Sequence, residues 1–322
     1  MKSKIIPIKG DASSRKFTRV IIKKKNKIQV LSKKNKYQNL IAYTAINQFL
    51  IRNKISAPRL ISHNLKKGII VIEDFGDLSF YKVILESRNK FKIYKKLIDL
   101  LCKIQKITIK PKIKSIISKP HNLDYYTVKN LHKESDLFFK WYLPIFLSKK
   151  KTLNIKRKTK KILSELYKKI RSPNNCFVHR DFHVQNLMKA GKKIGVIDSQ
   201  DAIIGNKAYD LASIIDDVRI KTSKKLKEKI FNYYKKKISK DDNLNNSSLL
   251  NDFNILSVQR SLKIIGIFSR LYKRDKKEKY LKLIPYAWSL LDMRMKSDIF
   301  YELKKILNAN ISKKKRKLKI NK

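Results

Sequence analysis

The chain has 322 residues, enough to bury a substantial core as one large domain or two lobes, and its 42% hydrophobic content excludes global disorder despite a formal net charge of +54. Seven glycines and seven prolines exclude a collagen-like chain or a glycine-rich barrel, and no run of about 18 apolar residues marks a transmembrane helix. Two cysteines without CxxC spacing, Cys102 and Cys176, and an N-terminal stretch without the apolar core of a signal peptide predict a cytoplasmic protein with no thiolate zinc site.

The first 22 residues read as strand, turn, strand: 5–8, the polar stretch KGDASSRK, then the β-branched run 17–22. A polar turn at 23–27 leads to a third strand at 28–31. A helix is predicted over 37–52, where Leu40, Tyr43, Ile46 and Leu50 recur at helical spacing. Ala57-Pro58 breaks that pattern, and 60–63 and 69–74 read as a hairpin. Past Phe75-Gly76-Asp77 the character turns helical. Phe91, Tyr94, Ile98, Leu101 and Ile104 mark a long amphipathic helix. The aromatic-rich segment 123–147 reads as helical, and a basic helix is expected over 159–171. CFVH at 176–179 and KKIGVID at 192–198 read as short strands. Helices follow at 208–218, 224–237, 249–272 and, as one or two, 281–307. The terminal run SKKKRKLKINK reads as a frayed, solvated tail.

The charge has two readings. An excess of 79 Lys and Arg over 25 Asp and Glu suits a nucleic-acid binder. Lys, Ile and Asn are also abundant together, as AT-rich coding produces, and no aromatic-plus-basic platform stands out. The coding-bias reading fits better, although so basic a surface attracts polyanions at low salt.

The chemistry concentrates in FVHRDFHVQNLM, 177–188. His179 and His183 are four apart, like the ligands of an HExxH helix, but Arg180 stands where the base would be and a strand enters the segment, so zinc is not expected. Phosphoryl transfer fits better. It needs a carboxylate to orient and deprotonate a hydroxyl and hard oxygen ligands for Mg²⁺. Asp181 and Asn186, five residues apart, supply a base and a neutral oxygen ligand on one loop. Asp198 ends the apolar run IGVID, and a hairpin returning through 188–193 brings it back beside Asn186 as a second metal ligand.

HRDFHVQN followed by GVIDSQDAIIGNKAYDLAS resembles the aminoglycoside phosphotransferase and choline kinase group. GDASSRKFTRV, IVIEDFGD, SDLFFKWYL, QRSLKIIGIFSRL and YLKLIPYAW resemble its branch of anomeric kinases acting on N-acetylmuramate and N-acetylglucosamine. The resemblance implies an α+β, protein-kinase-like fold of two lobes, a small antiparallel β-rich N-lobe and a large mainly helical C-lobe. Residues 1–76 would bind nucleotide, 77–308 would carry catalysis and substrate, and 309–322 would be the basic tail. The implied cofactors are ATP and Mg²⁺, and the implied partner is a small-molecule sugar.

Asp181 would then be the catalytic base, Asn186 and Asp198 the metal ligands, and His179 a support for the loop. Glu73 to Phe75 would meet adenine through backbone groups. Gly10 to Arg15 would cover the phosphates, with Ser13, Ser14 and backbone amides in place of further glycines. The helix at 37–52 contains no Glu, so the usual Lys–Glu pair is absent, and either Arg15 or Lys33 would reach the phosphates. Ser199 stands where the branch has Phe, which changes packing and leaves the ligand chemistry intact. Asp201 would contact metal or substrate or orient the loop. Asp210 would cap a helix or hold the catalytic loop. Asp136, Phe138, Trp141 and Tyr142 lie in the segment placed near the sugar, though such aromatics are more often core. Arg260 and Arg270 are candidates for a substrate carboxylate or for internal pairing. Three rivals share features of this reading: a kinase for another small alcohol, a protein kinase, which lacks support because SQD rather than a DFG or APE segment surrounds Asp198, and a nucleic-acid-binding protein on a vestigial kinase fold.

Overall fold

β-branched runs at the N-terminal end pair into one antiparallel sheet. The computed structural model describes residues 4–8, 15–22, 25–33, 37–238 and 246–317. The strands are β1 (Lys4–Ile8), β2 (Lys16–Ile22), β3 (Lys25–Leu31), β4 (Leu60–Asn64) and β5 (Ile69–Glu73), in the order β1-β2-β3-β5-β4. The third strand begins at Lys25, earlier than predicted, because its polar residues continue the ladder with β2 through Val20↔Lys27 and Ile21↔Asn26. Helix α1 (Tyr37–Arg52) is inserted between β3 and β4 and closes the apolar face of the sheet. Val30, Leu40, Tyr43, Ile70 and Ile72 form that core, with Phe17, Ile28 and Leu60 against it. Fully burying each such aliphatic side chain is worth roughly 1.5–3 kcal/mol. Gly68, at φ +68°, has no alternative: a Cβ there would stand 2.4 Å from the Tyr37 ring.

The chain divides into two compact units, residues 1–125 with 176–204 and residues 126–175 with 205–322. The first contains the sheet and α1, then α2 (Phe80–Glu86), which the sequence did not announce, and α3 (Lys90–Gln105), capped by the Asn89 side chain accepting from Lys92 N–H. It also holds the short pair β6 (Lys112–Ile113) and β7 (His121–Asn122), then β8 (Cys176–Val178), β9 (Leu187–Ala190), β10 (Lys193–Val196) and β11 (Ile203–Gly205). The β9 and β10 strands form a hairpin, and β8 pairs with β11.

The second unit is helical. Its elements are α4 (Val128–Leu137), a π-helical turn at Phe138–Tyr142, α5 (Lys149–Lys168), α6 (Ala208–Ile215), α7 (Lys224–Ile238), α8 (Asn246–Lys273), α9 (Ile284–Arg294), α10 (Tyr301–Asn310) and α11 (Lys313–Lys317). Helix α8 packs against α4, α6 and α9.

Four expectations are corrected. The basic helix α5 starts at Lys149, not 159, because Ser148 caps it and Thr152, Ile155, Thr159, Leu163 and Leu166 bury one continuous stripe. In 123–147 helix begins only at Val128, where the Thr127 side chain accepts from Asn130 N–H. Asp210 is not a cap: it lies buried in the first turn of α6, behind Lys207 at the N-cap. The described part of the tail is not frayed. Arg316 is buried, its guanidinium 4.5 Å from the Trp288 ring centre and bonded to both carboxylate oxygens of Asp292 at 3.1 Å. Among the described residues no helix is long and apolar enough to cross a membrane.

Candidate active site

A three-residue buried strand, β8, delivers the chain into the polar loop 179–186, and the β9–β10 hairpin returns it. The hairpin register pairs Leu187 with Val196. Its continuation sets Asn186 opposite Ile197, whose N–H donates to the Asn186 carbonyl at 3.0 Å. Asp198 therefore leaves the hairpin beside Asn186. The Asn186 side-chain Nδ2 donates to the Asp181 carbonyl at 3.1 Å and closes the loop on itself. A ring nitrogen of the buried His179 lies 3.0 Å from the Ile197 carbonyl, a second tie between the loop and the strand before Asp198. Arg180 and Asp198 both adopt left-handed backbone, φ 70° and 65°. Non-glycine residues hold that conformation only where surroundings over-determine it, and such strain clusters at functional sites. Arg180 is braced by a 3.3 Å bond to the Asp201 carbonyl.

The Asp198 carboxylate is met from the sheet. Arg15, buried at the mouth of β2, donates to Asp198 Oδ1 at 2.6 Å and to Gln200 Oε1 at 3.0 Å. Its guanidinium also faces the Phe17 and Tyr43 rings at 5.3 and 5.7 Å. Burial pushes the Tyr43 hydroxyl up to about 12, against the lowering influence of Asn47 and Arg15. Asn47, one turn after Tyr43 on α1, accepts from the Ser199 hydroxyl at 2.7 Å and donates to the Pro58 carbonyl at 3.2 Å. The Glu-free helix thus reaches the loop through an amide rather than an ion pair.

The residues fit a divalent cation. Asn186 donates through Nδ2, and among the described residues its Oδ1 accepts no hydrogen bond. The Asp198 side chain remains 38% exposed, with one oxygen on Arg15. Among the described residues no cluster of three His, Cys, Asp or Glu holds a metal unaided. Two protein ligands with the rest from phosphate and water is the usual Mg²⁺ arrangement.

At the hinge, Glu73 donates its N–H to the Arg59 carbonyl at 2.9 Å and its carboxylate pairs with Arg59 at 3.1 Å. The backbone N–H groups of Asp74 and Phe75 have no hydrogen-bond partner among the described residues, which leaves donors for a heterocycle. The Phe75 ring lies on β10, where a Cβ on Gly195 would stand 2.4 Å from it. A pocket of about 670 Å³ borders the hinge, lined by Ile55, Ala57, Glu73, Phe75, Ala190 and Lys193 among others, but by none of Arg15, Asn186 and Asp198.

The family model for the phosphotransferase enzyme family, APH, matches residues 4–242. The chain belongs to that family. The phosphotransferase is 26% identical over 268 residues to an N-acetylmuramate/N-acetylglucosamine kinase of Caulobacter vibrioides, covering 82% of this chain and 72% of the relative. It is 26% identical over 299 residues to the kinase of the same description from Pseudomonas aeruginosa, covering 90% and 83%. Among solved structures, a Plasmodium vivax ethanolamine kinase superposes with a TM-score of 0.64 at 14% identity, covering 93% of this chain and 84% of that one. An amicoumacin kinase in complex with AMP-PNP and Ca²⁺ superposes with a TM-score of 0.63 at 12% identity, covering 92% of this chain and 91% of that one. These two likenesses establish a kinase-like α+β fold for the phosphotransferase.

The Asn186 side chain is tied to the Asp181 backbone carbonyl, Asn186 lies opposite Ile197 next to Asp198, and Asp198 is tied to Arg15; on the Asp198 loop the Asp201 carboxylate accepts from Gln200 at 3.0 Å. Lys33 is exposed and makes no ion pair or hydrogen bond among the described residues. Gly10, Ser13 and Ser14 lie outside the described residues. Of the sugar-segment residues, Phe138 and Tyr142 are core, Tyr142 accepting from Trp288 Nε1 at 2.9 Å. Trp141 is half-buried under Lys140, and Asp136 is paired with Lys156 and Lys160 at 3.2 and 3.4 Å. Arg270 is half-buried, and burial lowers its pKa. Sequence reasoning missed Asn47 and Gln200 as partners of the loop. The only sequence signal for Asn47 was the Ser at 199 in place of the aromatic.

Proposed function

We propose that this phosphotransferase transfers the γ-phosphoryl group of ATP to a hydroxyl of an amino sugar in the cytoplasm, at the anomeric position of N-acetylmuramate or N-acetylglucosamine, within the recycling of cell-wall sugars. The observation that carries the reading is the hairpin register that sets Asn186 and Asp198 side by side, with Asp181 tied to Asn186. The acceptor class is supported by relatives described as N-acetylmuramate/N-acetylglucosamine kinases over most of the chain.

In this reading Asp181 orients the acceptor hydroxyl and takes its proton. Asn186 Oδ1 and Asp198 would hold Mg²⁺, which neutralises charge on the transferring group. Arg15 supplies the cation that a strand lysine supplies in kinases with the Lys–Glu pair. Asp74 and Phe75 offer backbone N–H groups to adenine. Arg260, a sequence candidate for negative charge on the acceptor, belongs to the second compact unit. It is 3% exposed, its only bond is a 3.4 Å contact to the Asp216 carbonyl, and no carboxylate pairs with it among the described residues. A lactyl carboxylate matches a guanidinium fork. We assign nucleotide binding to residues 1–76 and acceptor binding with catalysis to 77–308.

The test is ADP release by the purified chain with Mg-ATP across N-acetylmuramate, N-acetylglucosamine, glucose, choline and an aminoglycoside. Turnover on the N-acetylated sugars is expected, reduced by about 10²–10⁴-fold in Asp181→Asn. Turnover confined to another acceptor would overturn the substrate assignment and keep the phosphotransfer chemistry.

A further inference from the structure

Acids are scarce in this chain, 25 against 79 cationic residues, so carboxylates are in short supply for its basic side chains. Arg19 is the opposite case: two carboxylates converge on it. Its Nε donates to Asp74 Oδ2 at 2.5 Å and Nη2 to Asp74 Oδ1 at 3.2 Å. Nη1 donates to Asp77 Oδ2 at 2.8 Å and Nη2 to Asp77 Oδ1 at 3.0 Å. Asp74 and Asp77 flank Phe75-Gly76, the turn after β5. That turn is itself held by Gly76 N–H on Asp74 Oδ1 at 2.8 Å, with Gly76 at φ +78°. One guanidinium in the middle of β2 therefore grips both sides of the hinge. The two grips differ in setting: the Asp74 side chain is 3% exposed and that of Asp77 72%. Hydrogen bonding to Arg19 also holds the Asp77 carboxyl below its ordinary range.

Strand geometry gives this clamp a function. Side chains at i and i+2 share one face, so Phe17 and Arg19 line the face of β2 packed on the core, and Arg15, the residue before the strand, has its guanidinium 5.3 Å from the Phe17 ring. Four residues of strand span about 13 Å. At one end of that span Arg15 holds Asp198, and at the other Arg19 holds the hinge. The phosphate end and the base end of the proposed nucleotide site thus hang from β2 and the residue that enters it.

We propose that Arg19 is a positioning residue for nucleotide. Its double ion pair fixes the hinge donors at a set distance from Arg15 and Asp198, so that the site is preorganised for base and phosphates together. The proposal rests on the ATP reading above. Only a guanidinium provides the fork for two carboxylates; an ammonium at the same place loses the bidentate geometry.

The experiment is direct nucleotide binding by the full chain, measured calorimetrically with Mg²⁺ and a non-hydrolysable ATP analogue, in wild type, Arg19→Lys and Asp77→Asn. Arg19→Lys is expected to weaken binding about tenfold and Asp77→Asn about threefold. In turnover the loss appears in KM for ATP, with kcat at saturating ATP and KM for the acceptor within about twofold of wild type. Asp77→Asn is a surface change that retains the fold, so it carries the test if Arg19→Lys unfolds. Unchanged nucleotide affinity in a folded Asp77→Asn and Arg19→Lys pair overturns the proposal alone, as does a kcat loss equal to the affinity loss. A wild-type chain that binds no nucleotide overturns the ATP reading and this proposal with it.

Discussion

Two aspartates, one in each compact unit, sit among cations and behave differently. Asp198 follows a hairpin, holds left-handed backbone, keeps 38% of its side chain exposed and has one strong partner, Arg15. Asp216, just past α6, is 2% exposed and saturated. Arg294 binds both its oxygens at 2.8 and 3.0 Å, Lys227 lies 3.2 Å away, and the Ser257 hydroxyl donates at 2.5 Å. Asp198 holds left-handed backbone, is accessible and is incompletely paired, which suits the metal-ligand role proposed for it. Asp216 is fully enclosed by its counter-ions, the condition of a folding group.

The largest difference between the two aspartates is expected when each is exchanged for its amide. Asp198→Asn is expected to cut turnover about a thousandfold, equivalent to about 4 kcal/mol of transition-state stabilisation, with a melting temperature near wild type. Asp216→Asn strands Arg294 and Lys227 as buried cations and is expected to cost about 3–5 kcal/mol of stability. Equal melting temperatures for the two variants would erase the distinction.

The acid limb sharpens it. Burial by itself would raise the Asp216 pKa, but Lys227, Arg294 and the Ser257 hydrogen bond together hold it at about 2, below its ordinary 3.8. A folded pKa below the unfolded one stabilises the protein above pH 3.8, and that stability is lost as pH falls towards 2. The contribution is roughly 2 kcal/mol. Denaturant titrations across pH 5 to 2 are expected to show this loss in wild type and to lack it in Asp216→Asn.

The smallest effect concerns how the Asp198 loop is seated. Ser199→Ala leaves the buried Asn47 Oδ1 without its donor, at a cost of about 1–2 kcal/mol. A modest melting shift with a several-fold fall in kcat is expected, and an unchanged kcat would show that α1 does not position the loop.

Much of the site was legible in the chain because it is local. Asp181, Asn186 and Asp198 fall within eighteen positions, and one hairpin with a two-residue turn converts their spacing into proximity. The helix α1 was equally readable, since Leu40, Tyr43, Ile46 and Leu50 recur at helical spacing and all are buried. The π-helical turn at Phe138–Tyr142 was not. Phe138 and Tyr142 read in sequence as core more often than as sugar-stacking aromatics, and it is packing against Trp288 that shows them to be core. Ser148 was equally silent, because a serine before a lysine run signals a cap only once the buried stripe of α5 is known.

Local spacing was enough to read the candidate residues Asp181, Asn186 and Asp198, the five strands around one helix and the phosphotransferase resemblance, because each depends on spacing within a single hairpin or a single period. Which cation meets Asp198 and which one holds the turn after β5 emerges only from pairing across the fold. Arg15 and Asp198 are 183 positions apart and Arg19 and Asp74 are 55 apart. Among 79 basic side chains, pairing over such distances is selected by the sheet register and the depth of burial, neither of which local spacing encodes.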